Sequence, residues 1–325
     1  MMSAGSTMIS QVVGSTDVYL IPGDPVEQVR APEVFNRVFA ALGINAVLVP
    51  VHVPAADIRP FIDGVFRARN VKGLFLAIPH KALVMDLLDD CSPLGRCAGA
   101  VNGIRRTAQG RLDGGLFDGE GLRTSLDYFG MAYAGRRILI LGAGGGASAI
   151  GASLAGSAAE LMFYDPVPGK AASVAARIGA GSPGKVGAAD SPDVAGYDLV
   201  IHASPLGLQA GDPLPCDVDR LEPHAAVVDI LMKNQPTPLV QAVRNRGLQA
   251  QPGFEMLIQQ TPLYLEFFGY PEAAQAVRQD ATFLRELIYP PELAHEIRRP
   301  DAGAVPDPGG RGTTTRFSLT AATTN

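Results

Sequence analysis

Residues 137–147, RILILGAGGGA, limit the choice of fold more than any other stretch of the chain. A short apolar run passes directly into G-x-G-x-x-A and then into small residues, the order of a strand, a tight turn and a helix. Gly142 permits the turn, Gly144 lets the backbone approach a pyrophosphate, and Ala147 allows the helix to sit close to the strand. Free N–H groups and the positive dipole end at the helix start favour an anion there. Gly142, Ala143, Gly144, Gly145 and Gly146 are therefore expected to hold a dinucleotide. The next apolar run, Leu161 to Tyr164, ends in Asp165. Dinucleotide folds place an acid at this point on the ribose 2′-hydroxyl, and a carboxylate there repels a 2′-phosphate. The nearest cation is Lys170, so the expectation is NAD, with NADP less favoured.

The fold class that follows is α/β with two domains, one of them a Rossmann-type nucleotide domain on a parallel sheet. Apolar strand-like runs alternate with helical stretches upstream as well: 18–21, 32–42, 46–53, 56–69 and 73–78. A chain of 325 residues has room for two cores. The glycine-rich, acidic run DGGLFDGEG at 113–121 reads as a linking loop. This divides the chain into a substrate-binding domain over 1–118, completed by helices within 254–290, and an NAD-binding domain over 119–253. Those returning helices are expected over 255–268 and 272–287. Beyond 291 prolines, glycines and a TTT repeat predict a flexible tail over 291–325.

A net charge of −5, spread along the chain, argues against nucleic acid or an anionic membrane as partner. No run reaches the roughly 18 apolar residues of a membrane span, and the start lacks a basic segment followed by an apolar one. A cytoplasmic protein acting on a small molecule is the expectation, with a homodimer possible. Cys91, Cys97 and Cys216 lack metal-ligand spacing and are read as reduced thiols, and the five scattered histidines suggest no metal site.

Lys81 closes the run Ile78-Pro79-His80-Lys81 at a strand end, where reactive groups tend to sit. Taken alone, a surface lysine is the ordinary reading, as a turn amide is for Asn102 and a cap or loop acid is for Asp118. Together, and in order, these runs resemble the shikimate dehydrogenase family over residues 18 to about 288. The resemblance rests on IPHK, Gly99-Ala-Val-Asn102, Asp118-Gly119, GAGGGA at 142–147, Ala203-Ser-Pro-Leu-Gly207, Thr237-Pro-Leu239, and Gly253-Phe-Glu-Met-Leu257 followed by Gln260. It implies Lys81 as acid–base catalyst, Asp118 as its partner, and Asn102 and Gln260 as hydrogen-bonders to substrate. It also extends the cofactor contacts to Ser204, Ile230, Gly253 and Met256.

The chain departs from that family in one direction. Two serine hydroxyls that the resemblance implies for a substrate carboxylate are Val29 and Ala31 here. A threonine before the lysine is Ala77, an Asn-Thr pair is Leu116-Phe117, and a tyrosine is Met232. Arg30 lies between the altered positions, but in an extended segment it faces away from both neighbours. The reading is an NAD-dependent oxidoreductase of a cyclic or short polyol, or its ketone. The alternatives are a true shikimate or quinate dehydrogenase and, from another class, a non-catalytic NAD-binding sensor. Methylenetetrahydrofolate dehydrogenase shares the two-domain plan but fits the motifs poorly.

Overall fold

In the computed structural model, which describes residues 12–297, the apolar runs form two six-stranded sheets. The first contains β1 (Asp17–Gly23), β2 (Ala46–His52), β3 (Val71–Phe75), β4 (Asp90–Cys91), β5 (Gly103–Arg106) and β6 (Leu112–Gly115), in the order β2-β1-β3-β5-β6-β4. β1 runs parallel to β2 and β3, whereas β5 is antiparallel to both β3 and β6. Four helices, α1 (Ala31–Ala41), α2 (Ile58–Val65), α3 (His80–Leu83) and α4 (Pro93–Ala98), belong to this part of the chain.

The second sheet is parallel throughout. It comprises β7 (Arg137–Leu141), β8 (Glu160–Tyr164), β9 (Lys185–Ala188), β10 (Leu199–His202), β11 (Ala226–Asp229) and β12 (Gln249–Pro252), ordered β12-β11-β10-β7-β8-β9. This is the doubly wound order with its switch point between β7 and β10, where ligands of such sheets bind. Helices α5 (Asp118–Phe129), α6 (Gly145–Leu154), α7 (Lys170–Gly179) and α8 (Pro238–Asn245) accompany it.

α9 (Phe254–Phe267), α10 (Pro271–Gln279) and α11 (Thr282–Ile288) return to the first sheet. Alternate residues Tyr19 and Ile21 of β1 face the apolar stripe Val34, Phe35, Val38 and Phe39 of α1, and Tyr264 of α9 stacks on Phe75 at 4.3 Å. Among the described residues no helix is long and apolar enough to cross a membrane.

Three expectations are corrected. The run at 113–121 is not a loop: it is the end of β6 followed by the start of α5. Its glycines serve close approach, because a Cβ on Gly119 would lie 2.1 Å from Ala149 O and one on Gly121 2.6 Å from Met256 O. The helix expected at 272–287 is two helices, broken where the Asp280 carboxylate accepts the Thr282 N–H at 2.8 Å. The flexible tail expected from 291 does not begin there. Residues 291–296 form a 3-10 turn, Leu293 is 2% exposed within the first core, and Glu296 pairs with Arg244 at 2.8 Å. One apolar anchor and one ion pair outweigh a composition poor in large side chains; residues 298–325 of that expectation lie outside the described residues. Leu293→Ala should accordingly cost about 2–5 kcal/mol in denaturant unfolding, the usual range for such a cavity. A loss below about 0.5 kcal/mol would show that the segment does not hold the core.

Candidate active site

His80, fully buried, anchors the turn after β3 by donating from Nε2 to Val53 O at 2.9 Å, and burial pushes its pKa below the ordinary histidine range. This seats Lys81 at the start of α3, where its own carbonyl accepts the Val101 N–H at 2.9 Å. The Lys81 ammonium hydrogen-bonds to Asp118 Oδ2. Side-chain exposure is 17% for the lysine and 5% for the acid, so the pair is largely shielded yet still reachable from the lysine side. Asp118 occupies the first turn of the twelve-residue α5, whose positive dipole end favours a carboxylate.

Asn102 ties the surrounding elements together. Its Oδ1 accepts the Phe117 N–H at 2.9 Å, which fixes the start of α5, and its Nδ2 donates to Gln260 Oε1 on α9 at 3.3 Å. Its carbonyl accepts from Leu76 N at 2.7 Å and from the Tyr264 hydroxyl at 2.8 Å. The structure thus brings Lys81, Asn102, Asp118 and Gln260 into one linked cluster. Tyr264 is a member that sequence reasoning missed. Burial, with the nearby Asp118 charge, holds its phenol well above the ordinary range, so it acts as a donor. Its spacing of four residues from Gln260 on one helix face was the available signal.

The nucleotide turn meets this cluster from the other sheet. Gly142 has φ +120°, and a Cβ there would lie 2.5 Å from Ala203 O, so the turn after β7 is pressed against the segment after β10. A Cβ on Gly145 would lie 3.2 Å from Lys81 Cβ, whereas one on Gly144 would meet nothing within 4 Å. α6 carries no acid in its first turn. An open glycine beside unpaired helix N–H groups fits the pyrophosphate of a dinucleotide.

Asp165 is braced beneath the turn, accepting Ala143 N at 2.9 Å and Val167 N at 3.0 Å, with Lys170 Nζ at 3.0 Å. Burial pushes its pKa up, but Lys170 and the two N–H groups outweigh this and hold it below the usual carboxylate range. Ile230, Gly253 and Met256 gather at the same strand ends. Ile230 Cδ1 would touch a Cβ on Gly146 at 3.5 Å, Ile230 Cα lies 2.6 Å from a Cβ on Gly253, and Met256 N donates to Gly253 O at 3.1 Å. Ser204 follows β10 at the switch point. Beneath it lies a second feature that the sequence reading passed over, a buried chain through His202, Asp229 and Thr237.

Val29, Ala31, Phe117 and Met232 lie half-buried against the first core, of which Ala77 is a buried member. The Phe117 ring packs on Tyr264 at 4.6 Å and on Phe267 at 5.3 Å. Arg30 is committed elsewhere: its guanidinium binds Glu33 at 2.6 Å and Ile288 O at 2.8 Å. Among the described residues no group of three or more His, Cys, Asp or Glu side chains is placed to hold a metal ion.

Comparison with known proteins agrees with this architecture. The shikimate dehydrogenase substrate binding domain family matches residues 21–104. The shikimate dehydrogenase (NADP(+)) of Rubrobacter xylanophilus is 36% identical over 260 residues, spanning 78% of this chain and 90% of that protein. Among solved structures, shikimate 5-dehydrogenase from Listeria monocytogenes, in complex with shikimate and NAD, is 25% identical with a TM-score of 0.72, covering 83% of this chain and 97% of that one. The ligand-free 5-ketofructose reductase of Gluconobacter sp. strain CHM43 is 26% identical with a TM-score of 0.69, covering 81% and 98%. Two packed sheets, a nucleotide turn beside a lysine–aspartate pair, and this extent of similarity lead to one conclusion: the chain belongs to the shikimate dehydrogenase family and is an NAD(P)-dependent oxidoreductase acting on CH–OH groups.

Proposed function

We propose that the enzyme prefers NAD and interconverts a neutral cyclic or short polyol with its ketone. The observation that carries this reading is the apolar packing of Val29, Ala31, Ala77, Phe117 and Met232, together with the commitment of Arg30 to Glu33 and Ile288. A carboxylate brought against such a wall would lose water without gaining donors. The Gluconobacter relative is named for reduction of a keto sugar, a substrate without a carboxylate. The names of the Rubrobacter and Listeria relatives favour the second reading, a shikimate or quinate dehydrogenase.

In the proposed site a bound nicotinamide supplies the hydride chemistry. Lys81, as the neutral amine, takes the substrate hydroxyl proton, and as the ammonium it returns a proton to the carbonyl oxygen. Asp118 orients the amine, while Asn102 and Gln260 hold substrate hydroxyls. Gly142 to Gly146, Ser204, Ile230, Gly253 and Met256 form the cofactor wall. Residues 1–118 with 254–290 form the substrate part and 119–253 the cofactor part. Asp165 supports NAD, since its charge opposes a 2′-phosphate, with the partly exposed Lys170 and the Ala143 and Val167 N–H groups offsetting it in part.

Initial rates on a panel of neutral polyols and their ketones, beside shikimate and quinate, test the reading with both cofactors. The highest kcat/KM is expected for a neutral substrate with NAD. A higher value with NADP would overturn the cofactor assignment, and efficient turnover of shikimate alone would restore the second reading.

A further inference from the structure

The proton transfer at Lys81 makes no use of the polar chain buried at the ends of β10 and β11. His202, fully buried, bonds through Nδ1 to Asp229 Oδ1 at 3.0 Å and through Nε2 to Ser204 Oγ at 2.6 Å. Asp229, also buried, accepts the Thr237 hydroxyl at 2.6 Å and the Leu231 N–H at 3.1 Å. The Thr237 proton is committed to that bond, because the carboxylate only accepts, while the Thr237 oxygen accepts the Val240 N–H at 3.3 Å as the cap of α8.

Hydrogen-bond parity gives the chain a direction. A carboxylate only accepts, so His202 Nδ1 must carry the proton. When the imidazole carries that single N–H, Nε2 is an acceptor. Ser204 must then donate its hydroxyl proton inward to His202. Only lone pairs remain on the Ser204 oxygen, and one of these takes the Leu206 N–H at 3.3 Å. Ser204 is half-exposed, and its backbone N lies 3.1 Å from where a Cβ of Gly142 would sit, at the nucleotide turn.

We infer that His202 holds this single-N–H form and is a positioning residue that fixes Ser204 as a hydrogen-bond acceptor toward the cofactor. In that state Ser204 recognises a donor, a ribose hydroxyl or the carboxamide NH₂ of nicotinamide, and disfavours a phosphate oxygen. The inference rests on the reading that Ser204 faces the cofactor, and the two are separable by experiment.

NADH dissociation constants from fluorescence titration, independent of turnover, provide the test. Ser204→Ala should weaken NADH by about 3- to 10-fold, the range of one ordinary hydrogen bond. His202→Asn can still donate to Asp229 but is too short to reach Ser204, so it should weaken NADH by a similar factor. The double variant should be no weaker than either single one. An unchanged constant in Ser204→Ala would overturn the placement of Ser204 at the cofactor. A normal constant in His202→Asn, or full additivity in the double variant, would overturn the role of His202. If the asparagine variant does not fold, the imidazole ¹⁵N resonances of the unaltered protein decide. Protonation at Nδ1 alone is expected, and a proton on Nε2 of His202 would contradict the inference.

Discussion

Lys81→Ala is expected to lower kcat by about 10²- to 10⁴-fold, the range lost with a general acid–base group, while NADH affinity stays close to that of the unaltered enzyme. The separation follows from geometry. Alanine keeps the Cβ that lies 3.2 Å from the Cβ position of Gly145, so the packing of the lysine segment on the nucleotide turn survives. What disappears is the amine beside Asp118, the group proposed to accept the substrate hydroxyl proton. Asp118, 5% exposed, is left without its cation, so the melting temperature is to be measured alongside to separate lost catalysis from lost folding. Lys81→Ala with near-normal turnover would remove this residue from the mechanism.

Restoring serine at positions 29 and 31 together is expected to raise kcat/KM for shikimate by about 10- to 100-fold, the gain from one well-made hydrogen bond to a charged oxygen. Both positions are half-buried at the edge of the first core, where Val29→Ser exchanges two methyl groups for one hydroxyl and Ala31→Ser adds one, neither at a fully buried position. A substrate lacking the carboxylate should gain nothing. Measuring both substrates on the same variant cancels most of any general stability loss. Equal gains for the two would mean that the substitutions act on the fold or on cofactor binding, and not on a carboxylate.

The parts of this fold that were legible in the sequence are those whose signal is local. β7, the turn at Gly142 and α6 occupy eighteen consecutive positions, and each residue type there reports its own backbone need. Lys81 and Asp118 were identified by resemblance, and the structure shows them hydrogen-bonded. What escaped notice depends on contacts between distant segments. Glycines at 119 and 121 looked like loop residues because Ala149 and Met256, against which they pack, are far away in the chain. Leu293 sat in a segment of poor composition and gave no hint of the core it enters. His202 and Asp229 end two apolar strands 27 residues apart, and only the parallel pairing of β10 with β11 sets them opposite each other. An extended backbone would turn Arg30 away from its neighbours, whereas its direction is set by Glu33 one helical turn on and by the end of α11.

In the proposed function the substrate is not held by a carboxylate. The most direct test is the ratio of kcat/KM for shikimate to that for the same ring without the carboxylate, measured with NAD on the unaltered protein. Removing the carboxylate is expected to leave kcat/KM unchanged or to raise it. A fall of about 100-fold or more, the size of two hydrogen bonds to a charged group, would contradict the account and identify the enzyme as a dehydrogenase of shikimate itself.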